Sequence, residues 1–138
     1  MRHRVGNERL AKIPLFQGLS GKQLAAVDAL VTTLDVSSGR ELIRQGELGR
    51  EFVVVVNGEA EVRRDGEVIA IRGPGTFFGE TALLLDQPRN ASVVARTDMT
   101  IEVIDRQDFK RLLEKHPDLH APLLEATAQR LSALDEGT

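Results

Sequence analysis

The 138-residue sequence has no cysteine, no tryptophan and no tyrosine, and only five phenylalanines. Without cysteine, disulfide frameworks, thiolate chemistry and cysteine–zinc centres are excluded. The shortage of aromatic rings removes the base-stacking platforms used by single-stranded nucleic-acid binders. Burial must then rest on Val, Leu, Ile and Ala. A net charge of −3 offers no basic field to attract a polyanion. The longest apolar run, Phe52 to Val56, is far too short to cross a bilayer. The opening Met1-Arg2-His3-Arg4-Val5-Gly6-Asn7-Glu8-Arg9 is polar and lacks a signal-peptide core. A soluble, cytoplasmic protein is expected, with neither nucleic acid nor membrane as partner. Of the three histidines, His116 and His120 stand four apart but straddle Pro117 and have no third ligand nearby. No metal site is expected.

What is present divides into three parts within one domain, residues 1–138. Residues 8–31 read as largely helical: Ser20 with Gln23 makes a capping-box signal. Leu24, Val27, Leu30 and Val31 then recur at helical spacing, with Asp28 on the solvent side. From 33 to 105 the pattern changes to short apolar or alternating runs separated by glycine turns. Strands are predicted at 34–36, 41–44, 52–56, 60–63, 68–71, 92–96 and 100–104, and Asp65-Gly66 marks a tight hairpin. Seven or more strands with regular turns indicate a sandwich, jelly roll or barrel. Residues 106–134 return to helix. Asp105 is placed to cap a helix through Phe109, Leu112 and Leu113 that Pro117 ends, and Pro122 suits the first turn of a last helix to about Leu134.

The segment running from Phe78 to Ser92 carries the most chemistry. Gly79 permits a tight turn out of an extended segment. Glu80 to Leu85 reads as a helix of about two turns, halted before Pro88. Its first amides lack intrahelical partners and can hold an anion. Arg89 follows with a fixed charge and forked donors suited to phosphate. At ~4 Å such a contact is worth about 4 kcal/mol gross at an effective dielectric of ~20. Glu80 would repel that phosphate, so it is better suited to accept hydrogen bonds from neighbouring hydroxyls, as on a ribose. Phosphate beside a hydroxyl-bearing sugar describes a nucleotide. Taken singly, an exposed Glu and Arg nine apart would be solvated surface. Their occurrence together, in order, after a strand-rich region is what gives them meaning.

These residues resemble the phosphate-binding cassette of the cyclic nucleotide-binding domain family: Phe-Gly-Glu, a few small or apolar residues, a short loop, then Arg and Ala. Gly46-Glu47, the Asn57-Gly58-Glu59 turn, Gly73-Pro74-Gly75 and the opening Ile13-Pro14-Leu15-Phe16-Gln17-Gly18-Leu19-Ser20 fall where that family has them, so the similarity covers residues 10–134. The resemblance implies a mainly β fold with flanking helices. Its core would be an eight-stranded, jelly-roll-like β-roll, with N-terminal helices, a short cassette helix and two C-terminal helices. It implies a stand-alone module of the bacterial type that binds cyclic AMP, or cyclic GMP, with no other cofactor. Glu80 would take the ribose 2′-hydroxyl and Arg89 the cyclic phosphate. Gly79, Thr81, Ala82 and Asn90 would complete an amide cradle, with Phe78 and Ala91 flanking it. Asn90 departs from the Ser, Thr or Ala usual after the arginine and bears on purine preference.

Hydrolysis of a cyclic phosphate needs a placed base or a metal-bound water, and neither is at hand, so no enzyme is expected. In this family the last helix acts as lid and dimer seam. Here Leu123 to Leu134 could equally pack on the β-roll, and Leu124 and Leu131 repeat at seven residues. Too few residues follow it within this sequence for a DNA-reading helix. The output is expected to pass to a protein effector, a lid movement or self-association. The alternative is a fold that has lost its ligand and serves as an interaction module.

Overall fold

The computed structural model describes residues 8–126 and 128, which form two compact units, one made of residues 31–107 and the other of residues to either side.

The larger unit holds eight strands: β1 (Thr32–Val36), β2 (Glu41–Ile43), β3 (Glu51–Asn57), β4 (Ala60–Arg64), β5 (Glu67–Arg72), β6 (Phe77–Phe78), β7 (Ser92–Ala95) and β8 (Met99–Asp105). They pair antiparallel in two four-stranded sheets, ordered β1-β8-β3-β6 and β2-β7-β4-β5. This is the jelly-roll-like β-roll architecture. Its core lies between the sheets: Val53 and Val55 of β3, and Met99, Ile101 and Val103 of β8, meet Ala60 of β4 and Val93 and Ala95 of β7. The alternation expected of a strand with one core face is missing in β3, because Phe52 and Val54 are also buried. Burial on both faces explains the unbroken apolar run there.

The expected hairpin joins β4 to β5. Asp65 and Gly66 both adopt positive φ, 53° and 85°, which matches the right-handed strand twist. Beyond it, β5 is an edge strand whose Val68, Ile69 and Ile71 are exposed, with a register shift opposite Val62 and Arg63. Two-residue β6 was not legible in the sequence. It is too short for any periodicity and exists through pairing of Phe77 and Phe78 with Val54 and Val53.

The other unit departs from a largely helical 8–31 in detail. It has a four-residue α1 (Glu8–Ala11), a 3₁₀ turn Pro14–Phe16 and α2 (Gly21–Asp28). Pro14 cannot continue α1 but suits the start of the new turn. The capping box of α2 forms as expected. Ser20 Oγ accepts from the Gln23 amide (3.2 Å), and Gln23 Oε1 accepts from the Ser20 amide (2.8 Å). Gln23 Nε2 also donates to Asp118 (2.9 Å), holding the carboxyl of Asp118 below its ordinary range. Phe16 and Phe109 meet at 6.1 Å between ring centres.

Helix α3 (Arg106–Lys115) starts where Asp105 Oδ1 accepts from the Gln107 amide (2.7 Å), and Pro117 opens a 3₁₀ turn after it. Residues 120–126 are helical, with Pro122 in the first turn. Leu124 is exposed, while Leu131 and Leu134, on which the seam and lid readings turn, lie outside the described residues. No described helix is long and apolar enough to cross a membrane.

The β3–β4 turn sets the register of two strands through one residue. Gly58 has φ +88°, and a Cβ there would lie 2.9 Å from Met99 Cα and against the Asp98 carbonyl. Both objections act together, so Gly58→Ala is expected to cost more than about 1 kcal/mol. The check is a urea melt, where the midpoint should fall at unchanged slope. An unmoved midpoint would refute this account of the turn.

Candidate functional site

The cassette hangs on the central strands. β6 pairs with β3, Gly79 turns the chain with φ 78°, and the segment returns to register at Ser92, the first residue of β7. Between them stands not a two-turn α-helix but one 3₁₀ turn, Glu80–Leu83, closed by the Ala82 amide on the Gly79 carbonyl (3.0 Å). The helix stops early because the following residues are needed elsewhere. The Gln87 carbonyl accepts from the Gly49 amide (3.3 Å), and the Arg89 amide donates to the Glu47 carbonyl (2.8 Å). An α-helix through Leu85 would carry the chain past both. Shortening also alters the cradle of amides: that of Ala82 is engaged within the turn.

The β2–β3 loop grips the arginine backbone from both sides. Besides the Arg89 amide bond to Glu47, the Gly46 amide donates to the Arg89 carbonyl (2.8 Å), and Leu48 bridges Pro88. The side chain passes between two glycines. A Cβ on Gly79 would overlap the guanidinium, its Cζ at 2.7 Å. One on Gly49 would come within 2.6 Å of the same atom. Arg89 Nη2 donates to the Glu51 carbonyl. Among the described residues no carboxylate forms an ion pair with it. Burial therefore dominates and lowers the arginine pKa, only partly offset by the charge of Glu51. A guanidinium stays protonated even so. The site thus contains a half-buried cation whose lost hydration is replaced by one backbone carbonyl.

Glu80 is 3% exposed, a carboxylate drawn in beside buried Ala82 and Leu83. Its pair of oxygens offers about four lone-pair sites, enough to accept from more than one hydroxyl. Phe78 is half-buried against the β-roll core, and Ala91 is buried. Asn90 is exposed, and its carbonyl accepts from Arg64 Nε (3.2 Å). For Thr81, the backbone is part of the 3₁₀ turn. Farther along the cassette, Asp86 pairs with Arg106.

The expected residues therefore fall on one continuous segment, but sequence reasoning missed its support. Gly49 and the Glu51 carbonyl had no visible role, and Gly46-Glu47 had a family position without a mechanism. The spacing Gly46-x-x-Gly49 was available as a signal, yet its meaning depends on where the Arg89 side chain lies. An open cavity of about 290 Å³ does exist elsewhere, lined by Asp35, Val36, Asn57, Asp98, Met99 and Thr100, and it includes no cassette residue. Its carboxylates already accept from the Ser38 amide (2.9 Å) and the Thr100 hydroxyl (2.8 Å). The cassette, with its buried charges, is the better candidate.

Comparison with known proteins bears on the family and the fold. The family model "Cyclic nucleotide-binding domain" matches residues 33–116, more than half of the chain. A cAMP-dependent protein kinase regulatory subunit of Yarrowia lipolytica is 37% identical over 106 residues, 75% of this chain and 28% of that protein. The chain thus spans less than a third of the length of that relative. Among solved structures, the N-terminal domain of a transcriptional regulator from Streptomyces coelicolor A3(2) superposes with a TM-score of 0.81 at 28% identity, covering 94% of this chain and 96% of the other. A cAMP-bound PfPKA-R structure gives 0.66 at 27% identity, covering 94% and 45%. By its two-sheet fold, its Phe78-to-Ser92 cassette and the family match over 33–116, the chain belongs to the cyclic nucleotide-binding domain family.

Proposed function

We propose that this chain is a receptor module for a cyclic nucleotide, cyclic AMP before cyclic GMP, that works by binding rather than by catalysis. The observation that carries this is the state of Arg89. It is a permanent cation, half withdrawn from water, held between two glycines and given only a carbonyl in exchange for its hydration. Such a charge gains more from an incoming anion than an exposed arginine would. In this reading Arg89 grips the phosphodiester, and the amides of Gly79, Thr81 and Asn90 add donors. The buried carboxylate of Glu80 accepts from the ribose hydroxyl. Phe78, Ala82 and Ala91 shape the wall, and the Asn90 side chain, able to donate and accept, stands at the purine end. The cAMP-bound state of one structural neighbour supports the choice of ligand.

Catalysis has no support in the arrangement. In this reading Glu80 is committed to the sugar and not to proton transfer. On the same reading the module acts on a protein effector in the cytoplasm. Ligand biases the effector only as far as it prefers one conformation.

Calorimetric titration with cyclic AMP tests the reading. Wild type should bind, Arg89→Ala should lose roughly 100-fold or more, as for truncation of a buried charge pair, and Glu80→Ala about 10-fold. Heats that are absent in wild type, or equal in all three proteins, would sink it. The glycine slot makes a separate prediction. Gly49→Ala, which displaces the guanidinium, should weaken binding about 10-fold or more. Gly73→Ala should leave it unchanged, because a Cβ there meets nothing within 4 Å. Equal affinities for the two variants would show that the slot does not set the arginine.

A further inference from the structure

A reciprocal side-chain pair ties the β4–β5 hairpin to the residue that leads into the arginine clamp. Gln45 Nε2 donates to Asp65 Oδ1 (3.0 Å), and the Asp65 amide donates back to Gln45 Oε1 (2.9 Å). The Gln45 amide itself donates to Ser92 Oγ (2.9 Å), at the exit of the cassette. The next residue, Gly46, donates its amide to the Arg89 carbonyl (2.8 Å). The same hairpin reaches the cassette a second time, through Arg64 Nε on the Asn90 carbonyl (3.2 Å). Three segments distant in sequence thus meet around Arg89 and Asn90, and Gln45 makes three of the five links, two through its side chain and one through its amide.

We propose that Gln45 is a positioning residue for Arg89: paired with Asp65, it fixes the β2–β3 loop so that the loop holds the arginine backbone in binding register. No ligand contact is assigned to it. The inference rests on the receptor reading only for its effect on affinity. Its structural part, that the hairpin steadies the cassette, stands in the free protein. The chemistry explains why an amide sits at 45. Glutamine donates to the Asp65 carboxylate and accepts from the Asp65 amide at once, whereas glutamate could only accept and would oppose a like charge.

That asymmetry supplies the test. Gln45→Glu removes one bond and sets two carboxylates together. Adding Asp65→Asn restores a reciprocal pair, because the asparagine amide donates to one glutamate oxygen and the backbone amide to the other. Asparagine also tolerates the positive φ at 65. Two measurements are made on wild type, Gln45→Glu and Gln45→Glu/Asp65→Asn: amide hydrogen exchange at Gly46 and Arg89 without ligand, and the dissociation rate of cyclic AMP. In Gln45→Glu both rates should rise about three- to tenfold. In the double variant both should return to within about twofold of wild type.

Exchange that is unchanged in Gln45→Glu overturns the proposal. So does a rise that the second substitution fails to reverse, since general destabilisation would not be rescued at a turn. Faster exchange at Gly46 and Arg89 with an unaltered dissociation rate also overturns it, because the clamp would then not govern the ligand. If wild type binds no cyclic nucleotide, the receptor reading fails, and the exchange arm alone decides whether the clamp exists.

Discussion

A guanidinium placed between two glycine backbones is an arrangement that constrains much around it. Arg89 needs side-chain space at Gly49 and Gly79 at once, so the β2–β3 loop and the turn after β6 must approach each other to within one planar group. That approach is possible only because neither residue has a Cβ. It also explains why the backbone bonds of Arg89 go to Gly46 and Glu47 rather than to a neighbouring strand. The cost is partial desolvation of a charge, visible in its lowered pKa. In the proposed reading, an anion is what such a cation is kept for. The family to which the chain belongs is defined by such a ligand.

The β-roll supplies the rigidity for this. β3 is buried on both faces and pairs with β6 on one side and β8 on the other, so the start of the cassette is fixed to a strand with no solvent face over Phe52 to Val55. The end of the cassette enters β7, between β2 and β4. The site segment therefore bridges the two sheets, anchored in a different one at each end. Its interior is free of long regular structure, which makes the route of the chain sensitive to the loops that brace it.

Much of the fold could be read from the residues. The capping box at Ser20 and Gln23, the Asp105 cap, the Asp65-Gly66 hairpin and the strand runs each depend on local chemistry, and local chemistry is what a sequence displays. The departures share another cause. The 3₁₀ turn at Glu80–Leu83 is short because distant backbone groups at Glu47 and Gly49 compete for Gln87 and Arg89, and a helix estimate from neighbouring residues cannot see that competition. β6 exists through pairing alone. In the site, the charged residues stood out by type and order. Gly49 and the Glu51 carbonyl did not, since a missing side chain and a main-chain oxygen carry no signature until the arginine they serve has been located. Gln45 was hidden because its side-chain partner, Asp65, lies on a hairpin distant in sequence.

The central claim is that an anion completes the hydration shell that Arg89 has partly surrendered. It is tested most directly by a crystal structure of the protein with cyclic AMP. The account predicts a phosphate oxygen within hydrogen-bond distance of the Arg89 guanidinium, with the ribose 2′-hydroxyl on Glu80. A nucleotide seated away from Arg89, with that guanidinium still turned only to the Glu51 carbonyl, would contradict it.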